Sequence, residues 1–285
     1  MLHVASIAFL NPAPLLYDFE HEPRASKLAE HYALHYTSPA QCAAELVAGT
    51  ADLGLIPIAS LTPELAIVPG CTIASLSEVR SILLLVKNPS HLDETAALKQ
   101  VRTLAADAAS RSSQAYAHIL FRHFLETHPT LHEAAADPLA MLATADAALL
   151  IGDPALLARE HRTQIDAAST TPLLWLDLAT LWRQHTGLPW VAAVWAVRPE
   201  ALTGLTPQQL ITDLNHSRES GLAHIDQLVA EWTPRLAISP QTIRNYLTHN
   251  IQYSLNPACI ESIHLFRTLA AEIEILPPLR TLRML

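Results

Sequence analysis

A group of small polar residues around one arginine is the most chemically suggestive feature of the sequence. Ser110, Arg111, Ser112 and Ser113 follow an apolar strand pattern and precede an amphipathic helix. A helix N-terminus exposes unpaired N–H groups and the positive end of the helix dipole, so it attracts anions. Serine hydroxyls and a guanidinium group add donors. The group therefore predicts a carboxylate or phosphate site, and a plain serine N-cap beside a solvated arginine is the alternative.

Further small polar residues stand where other predicted strands end. They are Asn11, Thr37, Ser38, Ser81, Gly152 and Asp153. Ligands of open α/β sheets bind outside the carboxyl ends of the strands, so these positions are binding candidates. They offer hydrogen-bond donors but few catalytic bases, and the sequence has no GxSxG motif for a nucleophilic serine. Asp153 also has a plainer interpretation, as an N-cap before Pro154.

Alternating strands and helices must position these residues. Apolar strand patterns occur at 2–10, 32–38, 51–60, 67–75, 79–87, 101–107, 147–153 and 190–199, with helical patterns between most of them. From residue 206 onward the pattern is almost entirely helical. Apolar strands that alternate with helices predict parallel α/β sheets covered on both faces. Trp190 and Trp195, on the strongest strand, are expected in the core because large aromatic side chains dominate cores.

Composition and charge exclude several classes of function. Of the 285 residues, 50% are hydrophobic and 16% are charged, which allows a sizeable core and two ordinary domains. The formal net charge of −9 argues against nucleic acid or an anionic membrane surface as the main partner. No apolar run has the length of a membrane span, and the first residues form a strand pattern rather than a signal peptide. We therefore expect a cytoplasmic protein, whose oligomeric state remains open.

No motif for a metal or an organic cofactor is present. The 15 histidines are scattered, and His31 and His35 lack the carboxylate of an HExxH motif. The three cysteines have no metal or redox spacing. With seven glycines, the sequence contains neither GxGxxG nor GxxxxGK[ST]. We expect neither a metal nor a cofactor, and a small anionic molecule as the ligand.

Six segments, taken in order, resemble one known family. They are SIAFLNPAPL (6–15), ADLGLIPIAS (51–60), VPGCTIAS with VRSILLL (68–85), DAASRSS (107–113), AALLIGD (147–153) and LWRQHTGLPWVAAVWAVRP (181–199). Together they resemble the menaquinone-biosynthesis enzymes of the futalosine route, in the chorismate dehydratase branch. The family motif is closer to D-x-S-S-R-T-S, so Ala109 replaces a serine here and Ser112 replaces a threonine.

The resemblance implies a type II periplasmic-binding-protein-like fold, with two α/β lobes, a ligand cleft between them and a helical C-terminal part. The first lobe is expected at 1–86 and 188–285, and the second at 87–187. The implied reaction is a lyase reaction, the dehydration of chorismate to 3-[(1-carboxyvinyl)oxy]benzoate. Two alternatives stay open: a non-catalytic cytoplasmic sensor or binding protein for a small carboxylate, and the dihydroxynaphthoate synthase branch of the same family.

The resemblance also suggests roles for the strand-end residues. Asn11 and Ser81 are predicted to act in catalysis, with the Asn11 amide orienting the substrate hydroxyl. The other candidates are predicted to bind the substrate, with two groups at helix starts each holding one carboxylate. The substrate-binding set is Thr37, Ser38, Ser110, Arg111, Ser112, Ser113, Gly152 and Asp153.

Overall fold

Two β-sheets organise the chain in this computed structural model, which describes residues 1–108 and 111–285. The first sheet has the strand order β11-β4-β10-β3-β1-β2. Its strands are β1 (Leu2–Ile7), β2 (Tyr32–Thr37), β3 (Leu53–Pro57), β4 (Ala66–Ser75), β10 (Trp190–Val197) and β11 (Gln252–Ser254). The second sheet has the order β7-β6-β8-β5-β9. Its strands are β5 (Ile82–Lys87), β6 (Thr103–Asp107), β7 (Thr130–Ala134), β8 (Ala147–Ile151) and β9 (Leu173–Asp177).

Helices cover the sheets and form most of the C-terminal part. Around the first sheet and its connections lie α1 (Ala13–Glu20), α2 (Ala25–Leu28) and α3 (Pro39–Ala48). Those of the second lobe are α4 (Glu94–Gln100), α5 (Arg111–Ile119), α6 (Pro138–Thr144), α7 (Gly152–Glu160), α8 (Arg162–Ala168) and α9 (Leu178–Thr186). The C-terminal helices are α10 (Pro207–Ala223), α11 (Ile225–Leu236), α12 (Pro240–Asn245) and α13 (Pro257–Glu272). No helix within the described ranges is long and apolar enough to cross a membrane.

The chain passes from one lobe to the other twice. It leaves the first sheet after β4 and enters the second sheet at β5, and it returns at β10 after α9. The expected first lobe includes residues 1–86, yet β5 pairs with β8 and β9 of the second sheet. The change of sheet therefore falls between Ser75 and Ile82. A strand pattern alone carries no information about which sheet the strand joins.

Both sheets are mixed, so the expectation of parallel sheets is wrong in part. β1 runs parallel to β2 and β3, but β10 runs antiparallel to β3 and β4. In the second sheet, β5 runs antiparallel to β8 and β9, while β6 is parallel to β7 and β8. Strands buried on both faces are apolar throughout whichever way they run, so hydrophobicity does not distinguish the two arrangements.

Local sequence signals explain where the helices begin and end. Ser38 caps α3, because its hydroxyl accepts a hydrogen bond from the Gln41 N–H at 3.2 Å. Pro39 occupies the first turn, and Gly49 ends the helix in a left-handed conformation with φ of 78°. Asp177 caps α9 in the same way, accepting from the N–H groups of Ala179 and Thr180.

Aromatic residues pack the two lobes together at one end of the cleft. The Tyr116 ring of α5 lies 4.4 Å from the Phe266 ring of α13 and 5.6 Å from the Trp190 ring of β10, between centroids. Its hydroxyl donates a hydrogen bond to the Val191 carbonyl at 3.0 Å. Trp190 and Trp195 are both buried, as expected. Helix α5 therefore packs directly against the first lobe through Tyr116.

Candidate functional site

A small cavity of about 50 Å³ lies between the lobes. Residues of β1, β3, β4 and β10 and of the segments after them line one side, and residues of α5, β5, β8 and α7 line the other. The lining residues are Ile7, Phe9, Asn11, Pro39, Pro57, Ile73, Ile82, Ser112, Ser113, Ile151, Gly152, Trp190, Ala192 and Ala193. The structure thus brings together four of the predicted site residues: Asn11, Ser112, Ser113 and Gly152.

Asn11 lies in the turn between β1 and α1 and lines the cavity. Its Oδ1 atom is buried and has no hydrogen-bonding partner among the described residues. A buried amide oxygen without a partner costs free energy, so such an atom usually marks a place where a ligand or water completes the bond. The Asn11 side chain is a hydrogen-bonding neighbour of the Tyr246 hydroxyl. Asn11 is therefore a fixed amide of the cavity wall with a buried oxygen that no described group satisfies.

Ser81 lies behind the cavity wall rather than in it. The side chain is buried, and its hydroxyl accepts a hydrogen bond from the Tyr246 hydroxyl at 2.8 Å. Its carbonyl accepts a hydrogen bond from the Gly152 N–H at 2.8 Å. Since Ser81 does not line the cavity, its position suits support of Tyr246 and Gly152 better than contact with a ligand.

Tyr246 is the residue of this network that sequence reasoning missed. It lies in the π-helical turn Tyr246–Asn250 that follows α12, and not after the carboxyl end of a predicted strand. Burial raises the pKa of Tyr246 well above its usual value, so the phenol stays protonated and serves as a donor to Ser81. No motif marks this tyrosine, and only the packing of the C-terminal helices on the cleft brings it to Asn11.

The start of α5 contributes two buried serines to the cavity. The Ser112 hydroxyl accepts from the Ala59 N–H at 3.2 Å and donates to the Ala192 carbonyl at 3.3 Å, so it bridges the two lobes. Ser113 is also buried and lines the cavity. Arg111, the first residue of the helix, is exposed and forms no ion pair within the described parts of the chain. Ser110 lies outside the described residues.

The second predicted anion clamp, at the start of α3, does not reach the cavity through its side chains. The hydroxyl of Ser38 is exposed and serves as the helix cap. Thr37 ends β2 beside Ile7 and is half-buried. Only Pro39 of this segment lines the cavity. Thr37 and Ser38 therefore lie around the cavity rather than in its wall.

Gly152 allows an aromatic ring to approach the backbone. It has φ of 60°, a conformation that costs any other residue about 1–2 kcal/mol. A Cβ atom on Gly152 would lie 2.8 Å from the Phe9 ring. Phe9 and Ile7 line both the small cavity and a larger outer cavity of about 370 Å³. The Phe9 ring, packed on Gly152, thus forms part of the partition between these two spaces.

Asp153 faces the outer cavity and is not the predicted N-cap. Helix α7 begins at Gly152, and the residue at its cap position is Ile151. The Asp153 carboxylate instead accepts a hydrogen bond from the Leu10 N–H of the other lobe at 3.0 Å. Burial raises the pKa of this carboxyl to about 6, although the Leu10 N–H acts in the opposite direction. Asp153 fastens the segment before Asn11 to the second lobe.

The inner cavity offers hydrogen bonds and a helix N-terminus but no acid or base of its own. None of the described lining residues titrates in the ordinary pH range. The described parts of the chain also contain no group of three or more histidine, cysteine or acidic residues able to hold a metal ion. Such a site can bind an anion, exclude water and orient a reacting group.

Comparison with known proteins identifies the family. A family described as menaquinone biosynthesis matches residues 2–272 of the chain. The chain belongs to this family. A curated relative in Thermus thermophilus, named chorismate dehydratase, is 28% identical over 246 residues, which cover 79% of this chain and 82% of the relative. Both matches support a role for this chain in menaquinone biosynthesis.

Similarity to solved structures shows the fold of this chain. A protein of Archaeoglobus fulgidus matches with a TM-score of 0.69 at 13% identity, covering 96% of this chain and 98% of that one. The periplasmic aliphatic sulphonate-binding protein of Escherichia coli matches with a TM-score of 0.64 at 16% identity, covering 97% and 88%. The expected periplasmic-binding-protein-like fold with a helical C-terminal part is confirmed.

Proposed function

We propose that this protein dehydrates chorismate to 3-[(1-carboxyvinyl)oxy]benzoate. The observation that carries the proposal is the inner cavity, where a fixed asparagine amide faces the serines of a helix start and no described wall residue is an acid or base. The relative named chorismate dehydratase supports the choice of substrate. A reaction that needs orientation more than proton transfer by the protein suits such a wall.

The chemistry explains why few groups suffice. The C3–H bond of chorismate breaks, its electron pair forms a ring double bond, and the C4 hydroxyl leaves as water with the released proton. The ring becomes aromatic, which drives the reaction. A carboxylate of the substrate itself can accept the C3 proton, so the protein needs only to hold both carboxylates and to direct the leaving hydroxyl.

The roles of the wall residues follow from their types. The Asn11 amide orients the C4 hydroxyl, and Tyr246, supported by Ser81, holds the amide in place. Ser112 and Ser113 present the N-terminal turn of α5 to one carboxylate. Arg111 adds to this group from the first position of the same helix, Ser110 is included as its neighbour in sequence, and Gly152 supplies close approach of the backbone.

The second carboxylate is held from the edge of the cleft. Thr37 and Ser38 lie beside Pro39, and the first turn of α3 turns a second positive helix end toward the ligand. The inner cavity of about 50 Å³ is small for a ring with two carboxylates, so we expect the lobes to move apart when the ligand enters.

A turnover assay tests the proposal directly. Purified protein is mixed with chorismate, and loss of chorismate is followed together with the ultraviolet absorbance of the aromatic product. We expect enzyme-dependent formation of 3-[(1-carboxyvinyl)oxy]benzoate, greatly reduced in Asn11→Ala. Calorimetric binding of chorismate without its consumption would instead indicate a sensor or binding protein. Absence of both binding and turnover would favour the dihydroxynaphthoate synthase branch.

A further inference from the structure

Trp190, a residue of the inner cavity wall, has a buried indole nitrogen that no described residue satisfies. The side chain is 1% exposed, and it lines the cavity together with Asn11. Its Nε1 atom has no hydrogen-bonding partner among the described residues. The wall thus contains one buried donor without a described partner, Trp190 Nε1, and one buried acceptor without a described partner, Asn11 Oδ1.

Two other tryptophans of this chain have a partner for the indole N–H. Trp182 donates to the Ser262 hydroxyl at 3.0 Å, and Trp175 donates to the Asp166 carboxylate at 2.8 Å. Trp195, on the same strand as Trp190, also lacks a partner, but it lies in the core and lines no cavity described for this chain. Among the tryptophans that the structure describes, Trp190 combines a buried, unpartnered indole N–H with a place in the wall of the inner cavity.

We propose that the Trp190 indole N–H donates a hydrogen bond to a carboxylate oxygen of the ligand and is a specificity-determining contact of the site. The indole N–H is only a donor, so it selects an acceptor. A buried donor is left unpaired by a ligand that lacks the matching oxygen, and such a ligand is disfavoured. The proposal rests on the proposed function for the identity of the substrate but not for the class of ligand, a small carboxylate.

Packing fixes the ring and makes the contact precise. Trp190 lies against Tyr116, whose hydroxyl is bonded to the backbone of Val191. Its strand neighbours Ala192 and Ala193 have small side chains and line the same cavity. Among the β10 residues that line the cavity, Trp190 is thus the large one, and its packing against Tyr116 restricts rotation of the indole ring.

The test uses nitrogen-15 labelling of the indole side chains and two ligands. Trp190→Phe and Trp195→Phe assign the two indole N–H signals, and each variant keeps an aromatic ring while removing one unpartnered donor. Chorismate and, separately, isophthalate, a stable aromatic dicarboxylate, are added to the wild-type protein. We expect a downfield shift of the Trp190 proton with at least one of the two anions and no comparable shift of the Trp195 proton.

Kinetics supply the second readout. Trp190→Phe is expected to raise KM for chorismate about tenfold, with kcat changed less, because a hydrogen bond to a charged acceptor is lost. Trp195→Phe should leave both constants unchanged. A Trp190 signal that moves with neither anion, or that moves only as much as the Trp195 signal, overturns the inference even if chorismate is consumed. A shift with isophthalate but neither binding nor turnover of chorismate supports the inference while the proposed function fails.

Discussion

The two sides of the inner cavity recognise a ligand in different ways. We call Phe9, Asn11 and Trp190 the first-lobe wall, and Ser112, Ser113 and Gly152 the second-lobe wall. The first-lobe wall carries two buried polar side-chain atoms without partners among the described residues, Asn11 Oδ1 and Trp190 Nε1. In the second-lobe wall, the Ser112 hydroxyl is already bonded to two backbone groups, and Gly152 contributes only backbone.

The difference shows which substitutions matter on each side. The first-lobe wall acts through side chains, so truncation of a side chain removes its contribution directly. The second-lobe wall acts through helix starts and main-chain geometry, so only a change that moves the backbone disturbs it strongly. The following predictions test this contrast, beginning with the largest effect.

Asn11→Ala removes the fixed amide of the first-lobe wall. We expect kcat for chorismate to fall by about 10²–10³-fold with a much smaller change in KM, because the amide orients the hydroxyl mainly in the transition state. Steady-state kinetics on a variant with an unchanged melting temperature provide the measurement. Asn11→Asp, nearly isosteric, should bind the dianion worse than Asn11→Ala. Retention of more than about a third of wild-type kcat in Asn11→Ala would remove this residue from the mechanism.

Gly152→Ala disturbs the backbone of the second-lobe wall. The new Cβ atom would meet the Phe9 ring at 2.8 Å, in addition to the strain of φ at 60°. Gly187→Ala is the matched control, because Gly187 has φ of 73° and open space around it. Thermal or urea unfolding should show a loss of about 1–3 kcal/mol for Gly152→Ala, larger than that of the control. Equal losses in the two variants would mean that the Phe9 ring moves aside without reducing the free energy of unfolding.

Arg111→Ala tests the one charged side chain at the start of α5. A charge-assisted hydrogen bond is worth about 1.5–3 kcal/mol, so we expect KM for chorismate to rise by about tenfold or more. Arg102→Ala, which changes an exposed arginine of the same lobe outside the cavity wall, is the control. If both variants have the KM of the wild type, the arginine is only a solvated residue at a helix start.

Asp153→Asn tests the contact that joins the second lobe to Leu10. The pKa of the Asp153 carboxyl is raised by burial from 3.8 to about 6. Since the folded-state value is the higher one, the stability contributed by this group is complete below about pH 4 and is lost as the pH rises through about 6. The free energy of unfolding of Asp153→Asn, relative to that of the wild type, should therefore rise by about 1 kcal/mol between pH 4 and pH 7. The rise stays this small because the adjoining outer cavity relaxes part of the burial cost. Urea unfolding of both proteins at several pH values measures this difference in the free energy of unfolding. A difference that does not change with pH contradicts the raised pKa.

Sequence reasoning located much of the cavity because of a geometric rule. Residues at the carboxyl ends of strands gather at one edge of a sheet, and Asn11 and Gly152 stand at such ends. Ser112 and Ser113 were found because they begin a helix after β6. The rule also selected Ser38 and Asp153, whose polar groups are used elsewhere, the first as a helix cap and the second as a contact to Leu10.

The remaining features depend on tertiary packing that leaves no local pattern. Tyr246 comes from a helical region and meets Ser81 across 165 residues of sequence. Trp190 has the signature of a core residue and is indeed buried, so only the cavity beside it distinguishes it from Trp195. Strand β11 has only three residues, and β10 runs antiparallel to β3 and β4, a direction that hydrophobic periodicity does not register.

The position of β10 has a consequence for the order in which the molecule folds. The second sheet is continuous in sequence, from β5 to β9, whereas the first sheet needs β10 between β3 and β4. During synthesis the second lobe can close on contacts near in sequence while β4 waits for a partner more than a hundred residues away. Contacts distant in sequence form slowly, and domains tend to fold as they emerge. We therefore expect the insertion of β10 to follow the formation of the second sheet and to bring Trp190 to the cleft.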